Sequence, residues 1–207
     1  MSNSDATVFV VDDDQPVRDA LKLLLRSVGH QVEVYASGQA FLDAYTDDQA
    51  GCLVLDVRMP GMSGLELQEE LNERRAILPI IFVTGHGDVP MAVETLQAGA
   101  MDFLQKPFRD QELLDRIGKA LEKDAENRRE LQELEEIARR FSELTARERA
   151  VMELVVQGKA NKVIAGDLDI SQRTVEIHRA RVMEKTQAGS LAHLIRMALR
   201  LQETGAA

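Results

Sequence analysis

Four consecutive apolar residues, Cys52-Leu53-Val54-Leu55, run into Asp56 and are followed by Val57-Arg58-Met59-Pro60-Gly61. A run that is apolar at every position, rather than at alternate ones, describes a strand covered on both faces, and such strands belong to parallel sheets flanked by helices. Pro60-Gly61 supplies the turn that ends it. Asp56 therefore falls at the carboxyl end of a central strand, the edge at which open α/β sheets bind ligands. On this segment alone two readings stay open: a functional acid, or an acid that merely shapes a loop before Pro-Gly.

The pattern repeats. Thr7-Val8-Phe9-Val10-Val11 ends in Asp12-Asp13-Asp14, and Pro16 suits the first turn of a helix with Asp14 at its cap and Val17, Leu21, Leu24, Leu25 and Val28 as its apolar stripe. Gly29 ends that helix. A strand over Gln31–Tyr35 and a helix from Ser37 to about Thr46 follow, and after the Asp56 strand Ser63-Gly64-Leu65-Glu66 has the spacing of a capping box. A strand over Pro79–Thr84 stops at Gly85-His86-Gly87-Asp88, where His86 reads as a solvent-facing loop residue. A helix over about Val89–Ala98, a strand over Met101–Gln105 leading into Lys106-Pro107-Phe108, and a helix from near Asp110 complete the set. Five strand and helix pairs define an α/β, doubly wound, five-stranded parallel sheet of flavodoxin-like size.

Asp12, Asp13, Asp56, Thr84 and Lys106 all fall at carboxyl ends of these strands, so the fold brings them to one edge. Carboxylates gathered there repel one another unless a cation neutralises them. Hard oxygen ligands of this kind suit Mg²⁺, which takes only one or two carboxylates and keeps several waters. A lysine and a hydroxyl beside them are what a transferred phosphoryl group needs.

Composition narrows the class of protein. The single cysteine, Cys52, excludes an intramolecular disulfide and a cysteine-rich zinc site, and its place in an apolar strand reads as a buried, inert thiol. His30, His86, His178 and His193 are scattered without metal-ligand spacing. No run approaches the roughly 18 apolar residues of a membrane span, and the acidic start is neither a signal nor a transit peptide, so a cytoplasmic protein without a membrane partner is expected. The net charge of −10 is unevenly divided. Residues 142–207 carry ten Lys/Arg against eight Asp/Glu, and residues 1–141 carry fifteen against twenty-seven. An acidic module thus carries a second, slightly basic one.

The second module reads as helices only. Thr145-Ala146-Arg147-Glu148 supplies another capping box, Val151, Leu154 and Val155 an inner face, and Gly158 a stop. A short helix over Asn161–Leu168, a turn at Asp169-Ile170-Ser171, and a longer helix over Thr174–Thr186 capped by Ser171 satisfy the helix-turn-helix description, with Arg173, Arg179, Arg181 and Lys185 on the second helix. A last helix, Ser190–Gln202, has an apolar stripe of Leu191, Leu194, Ile195, Ala198 and Leu201, wider than one small domain needs. Between the modules, Leu113–Phe141 shows no turn signal. Its heptad seam would be Ile117, Ala120, Asp124, Asn127, Leu131, Leu134, Ala138 and Phe141, either a dimeric coiled coil with a polar step or, the preferred reading, a solvated linker helix.

These residues resemble two known families. Asp12-Asp13, Asp56, Thr84 and Lys106-Pro107, in this order, resemble the receiver domain of two-component response regulators. The run Leu144-Thr145, Arg147-Glu148, Asn161-Lys162, Ile164-Ala165, Thr174-Val175, His178 and Lys185 resembles the LuxR-type helix-turn-helix. Joined, they resemble regulators of the FixJ/NarL type, and Thr84–Ala92 together with Arg58–Gly64 favours the FixJ branch. The resemblance implies a receiver over residues 1–123, a helical linker over 124–141 and a DNA-binding domain over 142–207. It makes Asp56 the phosphoacceptor, Asp13 a Mg²⁺ ligand, Asp12 a second-sphere partner of the metal, and the Arg58 carbonyl the last protein ligand. Thr84 and Lys106 hold phosphoryl oxygens, Lys106-Pro107 is a cis peptide, and Phe103 is a switch aromatic, although a lone Phe in a strand also reads as core.

In the second half the resemblance has Val175, Val182 and Met183 pack the recognition helix while Glu176, Ile177 and Ala180 face base edges. Lys162, Arg173, Thr174, His178, Arg179, Arg181 and Lys185 become phosphate or base candidates. Glu176 is informative in itself, because a carboxylate among phosphates is costly unless it accepts from a cytosine amino group. The implied function is a phosphorylation-dependent transcriptional regulator: a sensor histidine kinase phosphorylates Asp56 and the protein binds promoter DNA as a homodimer. The receiver would catalyse only its own phosphorylation and dephosphorylation. Two rivals are a Mg²⁺-dependent phosphohydrolase acting through an aspartyl phosphate, which wants an acid where Arg58 stands, and a DNA binder with a vestigial receiver.

Overall fold

The computed structural model describes residues 6–85 and 89–203. The chain divides into two compact units, Met1–Arg128 and Arg129–Ala207.

In the first unit, β1 (Thr7–Val11), β2 (Gln31–Tyr35), β3 (Gly51–Leu55), β4 (Ile80–Thr84) and β5 (Asp102–Gln105) form one parallel sheet in the order β2-β1-β3-β4-β5. The chain runs from β1 outward to β2 and then back past β1 to β3, so the topological switch point lies between β1 and β3, as in other sheets of this order. Period-two alternation along each strand feeds two cores. Phe9, Val11, Leu53 and Leu55 point to one face, where Phe41, Leu67 and Leu71 cover them. Val8, Val10, Cys52 and Val54 point to the other, covered by Leu21, Leu25, Leu113 and Ile117. Every residue of β3 is buried, which is why its sequence is apolar throughout. Burial of Cys52 pushes its thiol up, so it stays protonated and inert.

The covering helices are α1 (Gln15–Ser27), α2 (Gly38–Ala44), α3 (Gly64–Glu73), α4 (Val89–Gln97) and the start of α5 (Asp110–Ser142). Ser63 and Glu66 form the expected capping box on α3. Asp14 stands at the cap position of α1 without a capping bond from its side chain, because the turn is closed another way: its N–H donates to Asp12 Oδ1 at 2.9 Å.

The second unit contains the end of α5 with α6 (Ala146–Val156), α7 (Asn161–Asp167), α8 (Gln172–Thr186) and α9 (Leu191–Glu203). Ile137 and Phe141 from α5 join Val151, Ile164, Val175 and Leu194 in its core. Thr145 and Glu148 form the expected box on α6, and the Ser171 hydroxyl caps α8.

The two polar positions of the linker seam find partners within the first unit. Asp124 is buried and accepts the Gly51 N–H at 2.9 Å, and Asn127 donates to the Ile77 carbonyl at 3.3 Å. Both belong to the packing of the first unit.

Candidate functional site

Asp12 follows β1 and Asp56 follows β3, and the sheet register continues past the strands: Asp56 N–H donates to the Val11 carbonyl at 2.8 Å. Thr84 is the last residue of β4, and Lys106, one past β5, donates its N–H to the Thr84 carbonyl at 2.8 Å. Four strand ends thus converge. Asp12, Asp13 and Asp56 each offer a carboxylate oxygen, all within 4.8 Å of one another. Asp12 is buried, Asp56 half-buried and Asp13 exposed.

The Lys106 ammonium is shared between the acids, 2.7 Å from Asp12 Oδ2 and 4.0 Å from Asp56 Oδ1. Asp56 Oδ1 is buried and has no hydrogen-bond partner among the described residues. Burial raises the Asp56 carboxyl above its ordinary range and Asp12 adds to the rise, while Lys106, the Thr84 hydroxyl and the Val57 backbone N–H oppose it. Oxygen donors at this separation, one of them buried and unsatisfied, fit a small hard cation such as Mg²⁺. Arg58 lies two residues beyond Asp56 with its side chain in solvent, Phe103 is partly buried against the α3 side of the sheet, and Lys106-Pro107 is cis. His86 lies outside the described residues.

Two contributors have no signal in the residue pattern. Arg18 Nη1 donates to the Asp12 carbonyl at 2.7 Å and so fixes the β1–α1 turn from the helix side. Gly64 is required by contact, because a Cβ there would lie 2.3 Å from the Asp56 carbonyl oxygen.

On α8, Val175 and Val182 are buried and Met183 is partly buried against the same core. Arg173, Glu176, Ile177, Ala180 and Arg181 are exposed, spaced as one helical face; Lys162 is exposed on α7, while Thr174 and His178 are partly buried. Arg179 and Lys185 have partners inside the fold. Arg179 Nη1 donates to Asn161 Oδ1 at 2.8 Å. Lys185 Nζ donates to Glu148 Oε2 at 2.7 Å and to the Glu143 carbonyl at 3.1 Å, and Glu148 is buried. In consequence the Glu148 carboxyl is held down to about 2, first by Lys185 and then by the Thr145 N–H.

An acid cluster at the switch point of a doubly wound sheet, carried in one chain with a helix-turn-helix, defines a phosphorylation-controlled DNA-binding regulator. Comparison with known proteins agrees. The family described as response regulator receiver domain matches residues 8–118, and that described as bacterial regulatory proteins, luxR family, matches residues 142–198. The chain is 51% identical to the transcriptional regulatory protein FixJ of Azorhizobium caulinodans, over 93% of this chain and 91% of that one. It is 47% identical to nodulation protein W of Bradyrhizobium diazoefficiens, over 95% and 86%. Among solved structures, that of the response regulator StyR is 47% identical and superimposes with a TM-score of 0.82, covering 95% of this chain and 99% of that one. The chain belongs to the response regulators that join a receiver to a LuxR-type helix-turn-helix domain, on the FixJ-like branch, and its function is phosphorylation-dependent regulation of transcription. Its relatives are transcriptional regulators rather than enzymes, and no helix among the described residues is long and apolar enough to cross a membrane.

Proposed function

We propose that Asp56 is the phosphoacceptor, supplied by a sensor histidine kinase. The observation that carries this reading is the convergence of Asp12, Asp13 and Asp56 with Lys106 and Thr84 at the switch point. In the transfer an Asp56 carboxylate oxygen attacks phosphorus, the P–N bond of the kinase phosphohistidine breaks, a P–O bond forms, and the imidazole takes up a proton. Lys106 offers a positive charge and Thr84 a hydroxyl to the oxygens of the transferred group, so both help to orient it. Mg²⁺ would be held by Asp13, Asp56 and the Arg58 carbonyl with Asp12 in the second sphere, and when bound it neutralises charge on the phosphoryl oxygens. The receiver acts only on its own phosphorylation and dephosphorylation.

We assign residues 1–123 to the receiver, 124–141 to a linker helix whose root packs on the receiver and whose end packs in the second unit, and 142–207 to the DNA-binding domain. Phosphorylated protein binds promoter DNA as a homodimer, with Phe103 as the switch aromatic. The exposed α8 residues Arg173, Glu176, Ile177 and Arg181 meet the major groove; Lys162, Thr174 and His178 contact its margins. Arg179 and Lys185 hold α8 in place. Treatment with a small acyl phosphate and Mg²⁺, followed by intact-mass measurement, tests the phosphosite. One added phosphoryl group on the wild type and none on Asp56→Asn is expected; equal labelling of both removes Asp56.

A further inference from the structure

α5 leaves the first unit through a polar clamp. The last apolar residues that α5 contributes to the sheet core are Ala120 and Leu121. Beyond them Asp124, Asn127 and Arg128 stand at the i, i+3, i+4 spacing of one helix face. Arg128 Nε donates to both Asp124 oxygens, at 3.0 and 2.9 Å. Its two other nitrogens donate to the carbonyls of Asp47 (3.1 Å), Asp48 (3.2 Å) and Gln49. Asp124 in turn accepts the N–H of Gly51, the first residue of β3, and Asn127 donates to the carbonyl of Ile77, just ahead of β4. β3 runs into Asp56 and β4 ends in Thr84. The clamp therefore holds the first residue of β3 and the segments that lead into β3 and β4, the two strands whose far ends carry the phosphoacceptor and its hydroxyl partner. After Arg128 the same helix passes into the second unit.

We infer that Asp124, Asn127 and Arg128 are positioning residues that couple the receiver's state to DNA binding, by fixing the root of the linker helix to the start of β3 and to the segment leading into β4. A shift of β3, or of the segments that enter β3 and β4, on phosphorylation pulls on a charged, largely buried anchor at the root of the helix. The structural reason to place coupling here is continuity: one helix carries the clamp and enters the second unit, and no other helix or strand spans the division between the units among the described residues.

The inference rests on Asp56 being the phosphoacceptor, and its test keeps the two apart. In the full-length protein, beryllofluoride with Mg²⁺ serves as the acyl-phosphate mimic, ¹⁹F NMR reports its binding, and affinity is measured for a duplex selected from random sequence by the wild type. The variants are Arg128→Lys, which keeps the charge but loses the planar fork, Asn127→Ala, and the charge-neutral pair Asp124→Asn/Arg128→Gln. Expected is beryllofluoride binding like the wild type, with the gain in DNA affinity that beryllofluoride produces reduced about fivefold or more in the double variant and less in Arg128→Lys. Folded variants that keep the full gain overturn the inference alone. A wild type that does not bind beryllofluoride removes the underlying reading, whereas one that binds it without any gain in DNA affinity overturns this inference alone. Should the double variant fail to fold, Arg128→Lys and Asn127→Ala decide: an undiminished gain in both overturns the coupling role.

Discussion

Lys185 separates two roles that a basic residue on a recognition helix can have. Consider Lys185→Met, which keeps most of the length of the side chain and removes its charge. In the structure Lys185 is one-third exposed, whereas its partner Glu148 is 3% exposed and keeps its bonds from the Thr145 N–H and hydroxyl once the ammonium is gone. Breaking a fully buried pair costs about 3–5 kcal/mol; solvent access to Lys185 and the surviving backbone bond reduce this to about 2 kcal/mol. For a unit of this size that lowers the unfolding midpoint by roughly ten degrees. Calorimetry of the full chain, with hydrogen exchange of α6 and α8 amides to identify the transition, measures it.

The same variant should leave the salt dependence of DNA binding unchanged, since a phosphate-neutralising lysine contributes a slope of about 0.9 and Lys185 is committed elsewhere. The double variant Glu148→Gln/Lys185→Met should recover much of the loss. The sign with pH follows from Glu148, whose native value is about 2 against an ordinary 4.5. Its stabilisation is present above the ordinary value and is lost as pH falls through that window. A normal midpoint together with a salt slope reduced by about one would refute the positioning role and return Lys185 to the DNA face.

Gly64→Ala should disable the receiver, since the new Cβ would lie 2.3 Å from the Asp56 carbonyl oxygen and 3.0 Å from Phe82; we expect a loss of about 2 kcal/mol in urea unfolding and defective labelling of Asp56. Glu176→Ala should relax one base preference in selection from random DNA, with little change in overall affinity; an unchanged preference would exclude it as a reader of cytosine. For Asp56 the native carboxyl is raised, so the metal-free protein is stabilised below the ordinary carboxylate value and loses that contribution as pH rises through the native one. Asp56→Asn should therefore melt higher than the wild type at neutral pH without Mg²⁺, and added Mg²⁺ should raise the wild type more than the variant.

Much of this molecule is legible in the residue order because its signals are local or periodic. The unbroken apolar runs of β1, β3 and β4 announce burial on both faces, and the boxes at Ser63 and Thr145 mark where α3 and α6 begin. Gathering Asp12, Asp56, Thr84 and Lys106 needs only the rule that parallel strands share an edge. What stays hidden depends on distance in sequence. Asp124 reads as a polar step in a heptad seam because its partner, the Gly51 N–H, is a backbone group 73 residues away. Lys185 reads as a DNA contact for the same reason: Glu148 already has a role in a capping box, and nothing in the local pattern says that its carboxylate also receives a lysine from α8. Gly64 shows only the third case, a residue whose importance lies in an absent side chain.

We propose that Asp56, in its acid cluster, is the switch that controls assembly of the regulator. Light scattering of the full-length protein in Mg²⁺, with and without beryllofluoride, on wild type and Asp56→Asn, tests it most directly. The protein should be a monomer that doubles its mass only as wild type with the mimic. A mass that is unchanged in the wild type while ¹⁹F NMR shows the mimic bound, or a doubling that persists in Asp56→Asn, would contradict it.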